Sequence, residues 1–187
     1  LTGTPQKPWY QTIVELYKDH PAILMWSLGN EWNLSFNLYY GYSSVTEAAQ
    51  VTQQAAIKIQ QIDPNHPVSS CLGDRFDDPV PANTIFSILT QCQEIDIWGL
   101  NIYRGQSFGD LFSRWKNIAA GKPFYFSEFG TDSFRTIGFT AANNGVPAPG
   151  GFQAAKVTGS PDQAMQRDFD MRLWEEIKNH LAPVYTD

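Results

Sequence analysis

The feature that most constrains this sequence is an alternation between short apolar segments and segments with helical periodicity. Strand-like segments lie at 22–28, 68–72, 95–103 and 124–128. The first is almost wholly apolar and too short for a typical helix, so we expect a strand buried on both faces. Alternating strands and helices favour parallel strands joined by right-handed crossovers, and the sequence therefore predicts an α/β fold.

Helices are expected between and around these strands. The segment 44–62 opens with Ser44 and Glu47 in the positions of a capping box. Its expected apolar face consists of Ala48, Val51, Ala55, Ile59 and Ile62. The other predicted helices cover 8–19, 82–93, 107–120 and a segment that begins with an N-cap sequence at 160–162. Residues 135–159 are rich in Gly, Ala, Asn and Pro and predict a long loop.

Composition and motifs argue against several classes of protein. A net charge of −6 without any basic run disfavours nucleic acid as a partner. No apolar segment approaches the roughly 18 residues of a membrane span. No GxGxxG or GxxxxGK[ST] sequence is present, which argues against a nucleotide-binding sheet. The chain begins at Leu1 rather than Met, which leaves room for a removed leader.

Side chains that could bind a metal or form a nucleophilic triad make no convincing set. Cys71 and Cys92 lack metal-ligand spacing and are expected to be buried free thiols. Four charged residues follow the second strand, and we expect a solvated polar loop there rather than a metal site: Asp74, Arg75, Asp77 and Asp78. None of the three histidines has a nucleophile partner in the sequence. We therefore expect neither a metal nor another cofactor.

Two carboxylates stand where a parallel barrel would place an active site. Glu31 follows the first strand and Glu128 ends the last, and barrel enzymes carry their sites at the carboxyl ends of strands. Cleaving a glycosidic bond needs a proton for the leaving oxygen and a carboxylate for the oxocarbenium-like centre. Two nearby carboxyl groups supply both when one is neutral and the other charged. The alternative is a pair of surface or N-capping carboxylates in an unrelated α/β domain.

Three segments resemble motifs of the glycoside hydrolase clan A barrels, and glycoside hydrolase family 2 is the closest match. Segment 26–31 (WSLGNE) resembles the Asn-Glu acid/base motif, and segment 126–130 (FSEFG) resembles the nucleophile strand. Segment 99–103 (GLNIY) resembles the strand before it, with its site tyrosine. The three occur in the order of the family and at roughly its spacing. The resemblance implies a (β/α)8 TIM barrel, present here as a single partial domain over 1–187 that holds the fourth to seventh strands.

The resemblance also implies a role for each of four residues. Glu128 attacks the anomeric carbon, and Glu31 protonates the departing oxygen and later deprotonates water. Asn30 binds the 2-hydroxyl of the sugar, and Tyr103 contacts Glu128. The outcome is net retention, for which the two carboxyl groups are expected to stand about 5–5.5 Å apart, against about 6.5–9.5 Å in an inverting enzyme.

Aromatic residues between Glu31 and the next helix are candidates for packing against the apolar face of a sugar. They are Trp32, Phe36, Tyr39, Tyr40 and Tyr42. Trp32 is the leading candidate, and the alternative is a loop held in place by its own aromatic side chains. Asp132 and Arg135 follow the nucleophile strand, where a local ion pair explains them better than substrate contacts do.

The expected function is therefore that of a retaining β-glycosidase, which acts on an oligosaccharide, a polysaccharide or another β-glycoside. The alternatives on the same scaffold are a catalytically inactive carbohydrate-binding barrel and a transglycosylase. The sugar and linkage are not predicted. We expect a longer chain to supply the remaining barrel strands, because the unpaired backbone groups of an open sheet edge tend to pair with other strands. A carbohydrate substrate slightly favours a secreted or periplasmic location.

Overall fold

The computed structural model describes residues 8–105, 107–130 and 163–181. Its helices are α1 (Trp9–Tyr17), α2 (Trp32–Ser35), α3 (Val45–Ile62), α4 (Ile85–Gln91), α5 (Leu111–Ile118) and α6 (Gln163–His180). Its strands are β1 (Trp26–Asn30), β2 (Val68–Gly73), β3 (Ile97–Ile102) and β4 (Phe124–Phe129), and a short 3-10 helix covers Pro81–Asn83. The loop predicted at 135–159 and the N-cap predicted at 160–162 lie outside the described residues.

The four strands form one sheet in the order β1-β2-β3-β4. β1 pairs in parallel with β2, and β2 pairs in parallel with β3, with Gly73 opposite Asn101 at the carboxyl end. At least one helix lies in the chain between each strand and the next. The predicted α/β fold is confirmed, and each strand lies within four residues of its predicted bounds at either end.

Burial differs sharply between the inner and the outer strands of this sheet. All six residues of β2 are buried, and so are five of the six in β3. In β1, Ser27, Gly29 and Asn30 are exposed, and no residue is fully buried. The prediction that this strand is buried on both faces is wrong for the structure described, because β1 lies at an edge of the sheet and has a neighbour on one side only.

Helix α3 begins at its predicted N-cap, but the carboxylate of the predicted capping box binds Ser43 rather than Ser44, and the buried face is shifted from the predicted one. Ser44 Oγ accepts a hydrogen bond from the Glu47 amide at 3.1 Å, as an N-cap residue does. The Glu47 carboxylate in turn accepts two hydrogen bonds from Ser43, which lower the pKa of Glu47. Val51, predicted to be buried, is 43% exposed. The buried residues of α3 are Val45, Ala48, Ala49, Ala56 and Ile59.

A buried carboxylate after α3 holds the start of β1. Asp63 is 1% exposed and accepts hydrogen bonds from the Trp26 indole at 2.7 Å and from His66 Nδ1 at 2.8 Å. Burial alone would raise the pKa of Asp63, but these hydrogen bonds and one from the Asn65 amide outweigh it and lower the pKa. The loop after α3 is therefore tied to the first residue of β1.

The chain divides into two compact units. The first consists of Leu1–Asn101 and Ile118–Ser127, and the second consists of Ile102–Asn117 and Glu128–Asp187. The division passes through the last residues of β3 and β4, so that Glu31 belongs to the first unit and Glu128 to the second. A single domain over 1–187 stays a prediction.

The second unit has its own small aromatic core. Phe108 is fully buried and packs edge-to-face against Phe112 and Phe129, with ring centroids 5.9 and 6.1 Å away. Glu176 of α6 accepts a hydrogen bond from the Phe108 amide at 3.0 Å. His180, at the end of α6, stacks on Phe112 with ring centroids 3.9 Å apart. These contacts fix α6 to the segment that follows β3.

Candidate active site

The chain changes direction abruptly at the end of β1. Gly29 has φ +70°, and Glu31 has φ +51° in the left-handed region that few residues other than glycine adopt. The Glu31 amide donates to the carbonyl of Cys71 in β2 at 3.0 Å, and the Glu31 carbonyl accepts from the Leu34 and Ser35 amides. Glu31 is thus both the last residue attached to the sheet and the N-cap of α2. Unusual backbone of this kind is concentrated at functional sites.

Tyr40 fixes the residue before Glu31. Its phenol oxygen accepts a hydrogen bond from the Asn30 amide at 3.0 Å and donates one to the Asn30 carbonyl at 2.7 Å. A Cβ on Gly29 would lie 3.1 Å from Trp32 Cδ1 and 3.7 Å from Tyr40 Oη. The positive φ and this close approach together explain why a glycine precedes the Asn-Glu pair.

Trp32 also stabilises the turn at the end of β1. It is 2% exposed, and its indole donates a hydrogen bond to Ser70 Oγ at 2.9 Å, while Ser70 donates to the Leu28 carbonyl at 2.5 Å. A ring this deeply buried offers no face for a sugar to pack on, so the structure speaks against the stacking predicted for Trp32. Tyr39, in the same loop, is 78% exposed.

The carboxyl group of Glu31 is held by a residue that the sequence did not single out for a role. Asn101 Nδ2 donates hydrogen bonds to Glu31 Oε1 and Asn30 Oδ1, each at 3.1 Å, and Ser127 Oγ donates to Asn101 Oδ1 at 2.6 Å. All four residues belong to the first unit. The available signal was a polar residue inside an otherwise apolar strand.

Below these side chains, Gly99 leaves room where three polar atoms converge. A Cβ at this position would lie 2.6 Å from Cys71 Sγ and 3.0 Å from both Ser127 Oγ and Tyr125 Oη. Tyr125 Oη also lies 3.0 Å from Ser69 Oγ. Burial, followed by the hydrogen bond with Cys71, raises the pKa of the Tyr125 phenol. This packing therefore requires a residue without a side chain at position 99.

The second unit holds the other glutamate. Glu128 lies in β4, one residue before the strand ends, and Tyr103 Oη donates a hydrogen bond to its Oε2 at 2.9 Å. This is the contact that the resemblance implies for Tyr103. Gly130 follows with φ +143°, a backbone conformation that favours glycine. Because Glu31 and Glu128 lie in different units, the expected separation of their carboxyl groups stays a prediction.

Other polar groups that the sequence drew attention to form no site in the described residues. Asp132 and Arg135 lie outside them. Arg75 Nη1 lies 3.2 Å from Asp78 Oδ2 in a local ion pair. Across the described ranges, no three His, Cys, Asp or Glu side chains gather into a group that could hold a metal ion. Within those same ranges, no helix has both the length and the hydropathy needed to cross a membrane.

The two cysteines behave as the sequence predicts. Cys71 and Cys92 are both free and both buried. Cys92 Sγ donates a hydrogen bond to the Ala49 carbonyl at 3.3 Å, and burial raises the pKa of this thiol to about 12. A thiol with so high a pKa is inert at neutral pH, because the thiolate is the reactive form.

Comparison with protein families identifies the class to which this sheet and its strand-end glutamates belong. The sequence model of "Glycosyl hydrolases family 2, TIM barrel domain" matches residues 9–169. The chain therefore belongs to glycosyl hydrolase family 2, and its four-stranded α/β fold is a partial TIM barrel.

Solved structures give weaker similarities. The crystal structure of BuGH86 in complex with neoagarooctaose is 15% identical with a TM-score of 0.49, over 70% of this chain and 27% of that one. A protein from Bacteroides fragilis assigned as a β-galactosidase is 16% identical with a TM-score of 0.48, over 91% of this chain and 23% of that one. This chain thus spans about a quarter of the length of either. A search of curated proteins finds no match.

Proposed function

We propose that this chain is the carboxylate-bearing part of a retaining β-glycosidase, with Glu31 as general acid/base and Glu128 as nucleophile. The observation that carries the proposal is that each glutamate stands at the carboxyl end of a strand, in a chain that belongs to glycosyl hydrolase family 2. Barrel enzymes keep catalytic residues at that end of the strands. Family membership supports the hydrolysis of glycosidic bonds in general, and the double displacement is our inference.

The first step transfers the sugar to the protein. Glu128 attacks the anomeric carbon while the bond to the leaving oxygen breaks, and Glu31 gives its proton to that oxygen. The Tyr103 phenol is hydrogen-bonded to Glu128 Oε2, so Oε1 is the atom we assign to the attack. A hydrogen bond from a neutral phenol also orients the carboxylate without neutralising its charge.

The second step releases the sugar. Glu31, now ionised, takes a proton from water as the water oxygen attacks the anomeric carbon and the bond to Glu128 breaks. Two displacements at one carbon give net retention. If the hydroxyl of a second sugar replaces water, the same step is transglycosylation. For Asn30 we propose a hydrogen bond to the 2-hydroxyl of the sugar, donated from Nδ2, because its Oδ1 accepts from Asn101.

The substrate we propose is a β-linked oligosaccharide, polysaccharide or other β-glycoside, and the active protein draws its remaining barrel strands from elsewhere in a longer chain. The exposure of β1 along the sheet edge supports this, since an open parallel strand has unpaired backbone groups on one side. Stable monomeric behaviour of residues 1–187 alone, with no self-association in analytical ultracentrifugation, would count against the second part of the proposal.

A trapping experiment tests the role of Glu128. The full-length protein is treated with 2,4-dinitrophenyl 2-deoxy-2-fluoro-β-glycosides of galactose, mannose and glucuronic acid. The fluorine slows both displacements, while the reactive leaving group keeps the first one possible, so that a glycosyl-protein intermediate accumulates. We expect one of these sugars to label the peptide that contains Glu128.

The matched controls are two Glu-to-Gln variants. Glu128→Gln should take up no label, whereas Glu94→Gln, changed in the loop between α4 and β3, should be labelled like the unmodified protein. Labelling of a different carboxylate, or an inverted first product by NMR, would refute the proposed mechanism. Binding of sugars without labelling or turnover would instead favour an inactive carbohydrate-binding barrel.

A further inference from the structure

Asn101 is a buried polar side chain whose hydrogen bonds lead directly to the carboxyl group of Glu31. It is 2% exposed and lies next to last in β3, opposite Gly73 of β2. A buried amide needs partners for both its oxygen and its nitrogen. Asn101 finds them in three side chains, Ser127 on one side and Asn30 and Glu31 on the other.

The hydrogen bonds of Asn101 have a defined direction. Its NH2 faces Glu31 and Asn30, and the two hydrogens of this group serve two acceptors, Glu31 Oε1 and Asn30 Oδ1. The amide oxygen then faces Ser127, and the serine hydroxyl must donate to it. The result is a directed chain from Ser127 through Asn101 to Glu31, with the Asn30 side chain as a branch.

This chain makes the two oxygens of Glu31 different. Oε1 accepts an N–H from Asn101, and the carbonyl oxygen of a carboxylic acid is a better acceptor than its hydroxyl oxygen, so this hydrogen bond favours Oε1 as the carbonyl oxygen. The proton of the neutral acid therefore resides on Oε2. When the glycosidic bond breaks, that proton moves from Oε2 to the leaving oxygen, and in the next step Oε2 takes a proton from water.

We propose that Asn101 is a positioning residue that assigns the proton of the general acid to Glu31 Oε2, and that Ser127 sets the orientation of Asn101. The inference rests on the proposed role of Glu31 as acid/base. Two separate features then position Glu31 at the end of β1. The left-handed backbone places the Cα of Glu31, and Asn101 places its carboxyl group.

The experiment compares leaving groups, because a misplaced acid matters only when the leaving oxygen needs a proton. Asn101→Ala, Asn101→Leu and Ser127→Ala are made in the full-length protein and assayed with phenyl and 2,4-dinitrophenyl β-glycosides of the sugar turned over fastest. Asn101→Leu nearly preserves volume but removes the N–H donor without adding a charge, which separates loss of the hydrogen bond from loss of packing.

We expect kcat/KM of both Asn101 variants to fall by about 10²-fold for the phenyl glycoside, the low end of what general acid catalysis contributes. For the dinitrophenyl glycoside the fall should stay within about threefold, because dinitrophenolate leaves without acid assistance. Ser127→Ala should show the same selectivity with a smaller loss of about tenfold. Ser69→Ala is the matched control in β2, and it should leave the ratio between the two substrates unchanged.

An equal loss with both substrates, or a wild-type ratio in Asn101→Leu, would overturn the positioning role. If Asn101→Ala fails to fold, Ser127→Ala decides in its place. Glu31→Gln separates this inference from the proposed function. A selective loss in Glu31→Gln without one in the Asn101 variants would refute the positioning role alone. The absence of any selective loss in Glu31→Gln would refute the acid/base role itself.

Discussion

The end of β1 and the end of β4 hold their glutamates by different means. At the end of β1 the backbone leaves the sheet in a left-handed conformation, and Glu31 is fixed by amide hydrogen bonds to β2 and α2. At the end of β4, Glu128 is still a regular strand residue, and its described hydrogen bond comes from the Tyr103 side chain.

The difference matches the demands of the two proposed roles. A nucleophile attacks from one position, and a regular strand holds its backbone in place. A general acid/base must offer one oxygen to two different partners in turn, so that both its backbone and its carboxyl group need separate restraints. We therefore expect Glu128 to depend on one side-chain contact, and Glu31 to depend on the shape of the chain around it.

The largest effect should follow from removing that side-chain contact. Tyr103→Phe deletes the hydroxyl that donates to Glu128 Oε2 and leaves the ring in place. Hydrogen bonds to charged groups contribute about 1.5–3 kcal/mol, so we expect kcat to fall by roughly 10- to 100-fold for phenyl and dinitrophenyl glycosides alike. Steady-state kinetics on the full-length protein measure both. A loss confined to the phenyl glycoside would mean that Tyr103 acts on the acid.

Tyr125→Phe is the matched control for that substitution. Its hydroxyl is also hydrogen-bonded inside the sheet, to Ser69 and Cys71, but the described structure gives it no contact with either glutamate. We expect an activity within about twofold of the unmodified protein, since changes that do not touch the transition state leave the barrier nearly unchanged. A loss of activity equal to that of Tyr103→Phe would show that the effect does not come from the hydrogen bond to Glu128.

A smaller effect should follow from changing the backbone before Glu31. Gly29→Ala forces a Cβ onto a residue with φ +70° and brings it 3.1 Å from Trp32. Gly41→Ala is matched in backbone, with φ +73°, and has nothing within 4 Å of the new Cβ. The left-handed conformation costs each alanine about 1–2 kcal/mol of stability.

The two variants should differ in stability and in kcat/KM beyond this shared loss of stability. Gly29→Ala should lose further stability and should also lower kcat/KM, because Trp32 and Tyr40 must shift and carry Glu31 with them. Gly41→Ala should lose stability only. Chemical denaturation and steady-state kinetics distinguish them, and equal behaviour of the two variants would show that the turn does not position Glu31.

The smallest effect concerns the far end of β1 and depends on pH. Asp63→Ala leaves the Trp26 indole and His66 without their partner, which should cost about 1–3 kcal/mol of stability at pH 7. Because folding lowers the pKa of Asp63, its contribution is complete above the unfolded value near 4 and is lost as the pH falls through the folded pKa.

Urea unfolding at a series of pH values checks this prediction. The gap between the unmodified protein and Asp63→Ala should be widest at neutral pH and should narrow in acid. Kinetics at pH 7 should be almost unaffected, because Asp63 acts at the start of β1 and Glu31 lies beyond its other end. A gap that widens in acid would contradict the lowered pKa.

The sequence predicted those parts of the molecule that local patterns determine. The apolar strands, the N-cap at Ser44 and the strand-end positions of the two glutamates all follow from short segments. The exposure of β1 does not, because it depends on which strands lie beside it. The inward face of α3 was also misjudged, since Ala and Val at several spacings fit more than one face of a helix.

The other features that the sequence missed or misjudged are contacts between residues far apart in the chain. Asn101 reaches Glu31 across 70 positions, and the contact requires both strands to pair with β2 in the observed register. Trp32 is turned inwards by a hydrogen bond to Ser70, 38 positions away. A loop rich in aromatic residues looks the same in sequence whether its rings face a ligand or the core.

The space left by Gly99 has a consequence for how this protein can evolve. Any side chain there would displace Cys71, Ser127 or Tyr125, and Ser127 begins the hydrogen bonds that lead to Glu31. Position 99 would therefore resist substitution as strongly as a reacting residue in a saturation library, although glycine contributes no functional group. Related proteins with different substrates would keep a glycine at position 99 while their loops vary. Its replacement would indicate a lineage that is no longer under selection for catalysis.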